Sequence, residues 1–321
     1  MTEPLRAAVI GTGHLGTLHA RKYAQLDGVR LAAVYDVDGA RARAVAKALG
    51  CVAAVSLAEA LAGADVASVA VPTAVHHSAA MAVLAAGVHL MIEKPLAASA
   101  REGEEICAAA EKARRLVQVG HLERFNPAFE NLRPLLGHPR FIECHRLSPF
   151  AGRGADTDVV FDVMIHDLDL IAFLVASPVA AVEAVGVPVL SDHADIANAR
   201  LRFECGCIAN VTASRVSLKR ERRMRIFQED AYVAVDFDAC SVRVLRRKVE
   251  AGPVDPASPM DSIMIEDRTF SGADPLRDEL EAFVAAVRGQ RAVAVSGREA
   301  LTALAIADRV RRAMREEALP T

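Results

Sequence analysis

The stretch between Arg6 and Asp36 constrains this chain more than any other. A short apolar run, Ala7-Ala8-Val9-Ile10, enters Gly11-x-Gly13-x-x-Gly16, and the residues from Leu15 to Leu26 then take helical spacing. Strand, glycine turn and helix in that order open a βαβ unit. Gly11 suits the tight turn, Gly13 lets a pyrophosphate approach the backbone, and Gly16 lets the helix pack against the strand. The first N–H groups of the helix and the positive end of its dipole suit phosphate. A second strand, Val29 to Tyr35, ends at Asp36, where a carboxylate can bond a ribose 2′-OH and repel a 2′-phosphate. The stretch predicts a dinucleotide site that takes NAD, built from Gly11, Thr12, Gly13, His14, Leu15, Gly16 and Asp36. A tight βα turn without a ligand would have no use for Asp36.

Helix and strand keep alternating up to residue 120. Asp38 and Ser56 are placed to cap helices, the latter with Glu59 at the capping-box position. Val66 to Val71 is a continuous apolar run, as expected of a parallel strand buried on both faces. Further strands are predicted at Val88 to Ile92 and Leu116 to Val119, with helices from about His77 to Ala86 and from Ala100 to Arg115. The pattern is that of an α/β Rossmann fold, a doubly wound parallel sheet over residues 1–121. Ligands of such sheets bind outside the carboxyl ends of the strands. Val71-Pro72-Thr73, His76 and Glu93-Lys94-Pro95 fall at that edge beside Gly11 and Asp36.

Residues 122–321 read differently, as an α+β domain for substrate binding and oligomerisation. A short helix near Pro127 to Leu136, a strand from Arg140 to Leu147 and a helix from Val160 to Leu174 precede six β-rich runs between 180 and 246. No helix interrupts those runs, which predicts a large, mainly antiparallel open sheet. Residues 250–262 read as a loop, and two helices, Pro275 to Arg288 and Ser296 to Glu317, close the chain. A sheet covered on one face needs a partner for the other, so the open face is a candidate homodimer or homotetramer interface.

Composition removes several alternatives. In 321 residues, Lys and Arg number 38 against 41 Asp and Glu, a net charge of −3 with no basic patch for nucleic acid. No run of eighteen apolar residues suggests a membrane span, and the start of the chain shows no signal peptide, which leads to a cytoplasmic expectation. The six cysteines lack Cys-x-x-Cys spacing, so they read as reduced thiols and no metal is expected. Cys205 and Cys207 would share one face of a strand.

Three groups of residues carry candidate chemistry. Lys94 follows a strand end at the crevice and can hydrogen-bond a substrate hydroxyl; the plain alternative is an exposed loop lysine. Asp162 and His166 lie four apart on one helix face, giving an imidazole to titrate and a carboxylate to orient it or bind a hydroxyl. Asp169 could orient the ring from the other side. Acidic residues favoured at a helix start are the alternative. Arg124 and Asn126, where the chain leaves the first domain, could grip substrate hydroxyls or phosphates, or simply tie a hinge. The loop 150–158, with Arg153, and the run 218–228 are candidates to shape a substrate pocket.

Val71-Pro-Thr-Ala-Val-His-His77, together with Ala85-Ala-Gly-Val-His-Leu-Met-Ile-Glu-Lys-Pro-Leu-Ala97, resembles the Gfo/Idh/MocA family of oxidoreductases. The segment looks like the family's Pro-Asn-x-x-His turn and Glu-Lys-Pro signature, with Thr73 where Asn is common. The resemblance implies a hydride moved between NAD(P) and a sugar or cyclitol hydroxyl. It also implies Lys94 as the catalytic lysine, and Asp162 with His166 as the Asp-x-x-x-His pair. Gly120 to Ala128 and Phe161 to Asp169 look closer to a branch similar to UDP-N-acetylglucosamine 3-dehydrogenases. The expected activity is therefore oxidation of the 3-OH of a UDP-linked N-acetyl sugar. A dehydrogenase of a free sugar or inositol is the nearest alternative, and a non-catalytic NAD(H)-sensing protein an alternative of another class.

Overall fold

The computed structural model describes residues 3–150, 157–248 and 257–317. They form two compact units, Met1–Leu122 with Asp274–Leu304 and Glu123–Ala273 with Ala305–Thr321. The first stretch ends one residue from the division expected at 121/122, but 274–304, grouped with the second domain on sequence, belongs to the first unit. The physical reason is apolar. Leu280 and Phe283 are fully buried in a core made with Ala7, Val9, Tyr23, Val34 and Met91. Each such side chain is worth about 1.5–3 kcal/mol when buried.

The first unit runs β1 (Leu5–Ile10), α1 (His14–Tyr23), β2 (Val29–Tyr35), α2 (Gly39–Leu49), β3 (Val52–Ala53), α3 (Leu57–Leu61), β4 (Val66–Val69), α4 (His76–Ala85), β5 (His89–Glu93), α5 (Ala100–Ala113) and β6 (Val117–Gly120). The six strands are parallel in the order β3-β2-β1-β4-β5-β6. Every residue of β4 and β6 is buried, the polar Ser68 and Gln118 included, as parallel strands are when helices cover both faces. The expected caps form: Asp38 accepts from Ala40 and Arg41 N–H, and Ser56 from Glu59 N–H. Strand order reverses between β1 and β4, the switch point where such sheets open a crevice.

The second unit begins with α6 (Pro127–Glu130), shorter than the helix expected to Leu136. Pro134, which cannot donate to a continuing helix, sits in a 3₁₀ turn at Arg133–Leu135. After β7 (Phe141–Leu147) comes a π-helical turn, Val160–Met164, where an α-helix was expected; α7 (Ile165–Val175) continues from it. Strands β8 (Val179–Val187), β9 (Ile196–Phe203), β10 (Ile208–Ser214), β11 (Glu221–Phe227), β12 (Ala231–Asp236), β13 (Ser241–Arg247) and β14 (Ile263–Thr269) follow. The chain then gives α8 (Pro275–Val287) and α9 (Gly297–Glu317), of which the part from Ala305 belongs to the second unit.

The eight-stranded sheet has the order β14-β13-β12-β11-β7-β10-β9-β8 and is antiparallel except for the pair β7/β10. Helix α7 packs on β7 and β10. The β14 strand was not expected, because Ile263–Thr269 has no fully buried position and hence no core-facing alternation. Cys205 lies in the β9–β10 turn around Gly206, not with Cys207 on a strand face. The partly exposed face of the sheet carries the rings of Phe141, Phe227 and Tyr232, with centroids 5.7 and 5.0 Å apart. Arg225–Glu143 at 2.9 Å and Arg223–Asp236 at 3.1 Å are cross-strand ion pairs. Among the described residues no helix is long and apolar enough to cross a membrane.

Candidate active site

The carboxyl edge of the first sheet gathers every cofactor residue expected from sequence. Gly11 has φ +87°, and a Cβ there would meet the Ala70 carbonyl oxygen at 2.4 Å. A Cβ on Gly16 would stand 1.8 Å from the Gly11 carbonyl oxygen, so α1 can approach the turn only with glycine. Gly13 differs: nothing lies within 4 Å of its would-be Cβ, which leaves its backbone open to a ligand. It is also the N-cap of α1 and has no side-chain cap. An open glycine at an uncapped helix start fits a pyrophosphate. A cavity of about 470 Å³ adjoins it, lined by Thr12, Gly13, His14, Thr17 and Arg41 among others. His14 and Leu15 are exposed at this end of the helix.

Asp36 ends β2 as expected, and its oxygens already hold the turn. Oδ2 accepts from the Thr12 N–H at 2.7 Å and the Thr12 hydroxyl at 3.0 Å, and Oδ1 from the Asp38 N–H at 2.9 Å. Burial alone would raise this carboxyl, but those bonds and nearby Arg41 hold it below the usual carboxylate range. Arg41, not singled out from sequence, stands 3.8 Å from Asp36 and 3.6 Å from Asp38. Its only advance signal was a basic residue in the first turn of the helix after the acid.

Val71, Pro72 and Thr73 lead into α4, and His76 ties that turn to the next strand end. Its Nδ1 lies 2.7 Å from the Pro95 carbonyl oxygen and its Nε2 2.9 Å from that of Val71. A neutral ring can donate to only one of the two. Burial depresses this imidazole, with the two carbonyls working against it. Lys94 is half-buried directly after β5, and the Lys94–Pro95 peptide is cis. Glu93, beside it, is buried and accepts from His19 Nε2 at 2.8 Å.

The second unit holds the other expected residues. Asp158 caps the π-helical turn by accepting from Val160 and Phe161 N–H, both at 3.1 Å, and pairs with Arg311 at 2.8 Å. Asp162, Val163 and His166 are half-exposed, while Phe161, Met164 and Ile165 are buried. Asp162 and His166 therefore share the accessible side of the helix, as the four-residue spacing implied. Its buried side is gripped by two guanidinium forks. Arg124 bonds Asp169 through Nε at 2.6 Å and Nη2 at 2.9 Å, over the Phe173 ring at 3.9 Å. Arg146 bonds Asp167 at 3.0 and 2.8 Å and reaches Glu123 at 2.8 Å, where Arg222 also arrives at 3.2 Å. Burial works against the Arg146 cation, but Asp167 and Glu123 outweigh it and raise its pKa.

Two of the expected residues have structural partners here. Asp169 and Arg124 form a buried bidentate pair. Asn126 acts as a helix cap, accepting from Ala128 N–H at 3.0 Å and donating to the Phe237 carbonyl at 3.1 Å. Both residues lay where a small domain needs polar glue, and sequence alone does not separate glue from grip. Arg153 lies outside the described residues. Glu123, Arg146 and Asp167 were missed because their partners are distant in sequence.

Two family models match the chain: an oxidoreductase family with an NAD-binding Rossmann fold over residues 5–121, and the GFO/IDH/MocA C-terminal domain over residues 135–234. UDP-N-acetylglucosamine 3-dehydrogenase of Acidithiobacillus ferrooxidans is 38% identical over 303 residues, 93% of this chain and 95% of the relative. Its solved structure superposes with a TM-score of 0.91, covering 98% of this chain and 99% of that one. Inositol 2-dehydrogenase of Cereibacter sphaeroides is 36% identical over 179 residues, 53% of this chain and 54% of the relative. Scyllo-inositol dehydrogenase of Lactobacillus casei, solved with NAD(H) and scyllo-inositol, shares the fold at 19% identity and a TM-score of 0.80, covering 98% of each chain. Glycine turn, strand-end Glu-Lys-Pro and matched domains agree: the chain belongs to the Gfo/Idh/MocA family of oxidoreductases.

Proposed function

We propose that the protein is an NAD-dependent dehydrogenase of the 3-OH of UDP-N-acetylglucosamine. The observation that carries the substrate is the 38% identity, over 93% of the chain, to the Acidithiobacillus enzyme of that name. When bound, nicotinamide supplies the hydride acceptor. Lys94 donates a hydrogen bond to the ring hydroxyl, His166 accepts its proton, and Asp162 orients the imidazole and holds a neighbouring hydroxyl. Gly13 and the start of α1 hold the pyrophosphate, and Asp36 meets the ribose hydroxyl. The preference for NAD rests on two carboxylates, Asp36 and Asp38, set against one Arg41. The aromatic and charge-paired open face of the second sheet is read as the surface of a homodimer or homotetramer.

The test follows NADH formation with UDP-N-acetylglucosamine, UDP-glucose, glucose and myo-inositol. Turnover confined to the N-acetyl nucleotide sugar is expected, with NADP at least about tenfold poorer. Oxidation of inositol or free glucose alone would overturn the substrate. Lys94→Ala is expected to lower kcat by about 100-fold or more while NAD affinity holds. An NAD-binding protein that turns over nothing would favour the sensing alternative.

A further inference from the structure

Beneath Lys94 a chain of buried polar side chains crosses the first unit. Tyr23 and His19, one turn apart on α1, are both 0% exposed, as is Ser68 on β4. The Tyr23 hydroxyl lies 2.9 Å from Ser68 Oγ, Ser68 Oγ lies 3.1 Å from His19 Nδ1, and His19 Nε2 lies 2.8 Å from Glu93 Oε1. With a neutral imidazole, one assignment of protons satisfies every link. A carboxylate only accepts, so Nε2 carries the ring proton; Nδ1 then accepts from Ser68, and Ser68 accepts from Tyr23. Apolar side chains would fill this volume at lower cost, because buried polar groups gain little even when paired. The network ends at the residue that precedes Lys94.

Other elements are shaped around the same carboxylate. Gly120 at the end of β6 leaves room for it: a Cβ there would stand 3.0 Å from Glu93 Oε2. Burial would raise the Glu93 carboxyl, but the His19 hydrogen bond, with the electrostatic pull of the His19, Lys94 and His76 side chains around it, brings it below the usual range. Burial together with the like charge of Glu93 pushes the Glu279 acid of α8 far upward.

We propose that His19 is a positioning residue for the dehydrogenase reaction: its imidazole fixes the Glu93 carboxylate and thereby the strand-end turn that presents Lys94. This rests on the role given to Lys94 above. The test uses His19→Leu, which removes the donor, and His19→Gln, which retains an N–H in a similar place, both in the full chain. With the sugar that the wild-type protein oxidises, His19→Leu should lower kcat by about 100-fold, the scale of a small misplacement of a reacting group. KM and NAD affinity should stay within about threefold, and His19→Gln should recover most of the rate. Carbon NMR of labelled glutamate should show the Glu93 midpoint rising in His19→Leu, a readout that needs no substrate.

An unmoved Glu93 midpoint overturns the proposal whatever the sugar. So does an unchanged kcat, or a loss that His19→Gln does not restore, which would mark a packing role. A wild-type protein inactive on UDP-N-acetylglucosamine but active on another sugar sinks the substrate alone, and the comparison is then made on that sugar. If His19→Leu loses its helical circular dichroism, Ser68→Ala carries the test, since it removes only the hydroxyl that orients the ring. A kcat drop of about tenfold is expected there, and none would overturn the proposal.

Discussion

Replacing Arg146 by Met tests what holds the Asp162–His166 helix. The guanidinium is about as buried as a core side chain, and its loss strips Asp167 of bonds at 3.0 and 2.8 Å and Glu123 of one at 2.8 Å. Arg222 still reaches Glu123 at 3.2 Å, so Asp167 bears most of the damage. Removing one partner of a buried pair costs about 3–5 kcal/mol, because the other charge is left desolvated. For a unit of this size that is a fall in Tm of about 10 °C, read by calorimetry at pH 7. Burial already holds the Asp167 carboxyl above the usual range against the pull of Arg146, and without that partner it rises further, so the native state of the variant binds more protons than the unfolded one. Stability then falls with rising pH, and the deficit should shrink between pH 7 and about pH 5. Arg146→Met combined with Asp167→Leu should recover much of the loss, since two apolar side chains replace a pair without leaving a charge. A single-variant loss under about 1 kcal/mol, or a double variant as unstable as the single, would refute the reasoning.

Gly16→Ala places a methyl 1.8 Å from the Gly11 carbonyl, so NAD affinity measured by calorimetric titration should fall by about 100-fold or more, whereas Gly13→Ala, with space around it, should spare the fold and weaken NAD alone. Asp195 is fully buried, accepts N–H bonds from Val189, Leu190 and Ser191 and pairs with Arg215; burial would raise it, but those bonds depress it far below the usual carboxylate range. A depressed folded pKa gives stability that is whole above about pH 4 and lost as pH falls below it, so Asp195→Asn should cost Tm at pH 7 and flatten the acid limb of the stability profile.

The glycine turn, the strand-end acid and the helix caps were legible because each is a local demand: a positive φ, a close approach or an orphan N–H has few residues that meet it. The sheet was legible from the alternation of strand and helix up to residue 120 and from the apolar run that holds β4. What escaped reading depended on partners far along the chain. For Arg124 and Asn126 the sequence left ligand grip and hinge tie both open, and only the fold brought Asp169 to the one and the Phe237 carbonyl to the other. His19 and Tyr23 did carry a faint signal, two polar-headed side chains four apart on the same stripe as Gly16 and Ala20, yet nothing in sequence named Ser68 or Glu93 as their neighbours. The β14 strand, half charged and facing no core, has no period to read.

The π-helical turn at Val160–Met164 gives the helix a numerical property. Such a turn holds one residue more than an α-helical one, so its length is a counted quantity. Deleting Val163 would let the backbone relax into an unbroken α-helix with every hydrogen bond intact. Because the extra residue is what the wide turn absorbs, the residues before and after the gap would keep nearly the facing they have now. Asp162 would then stand three residues before His166, still its neighbour on the same face of the helix. At this place in the chain a single-residue gap is a milder lesion than in a regular α-helical turn, where it would rotate one side against the other by about 100°.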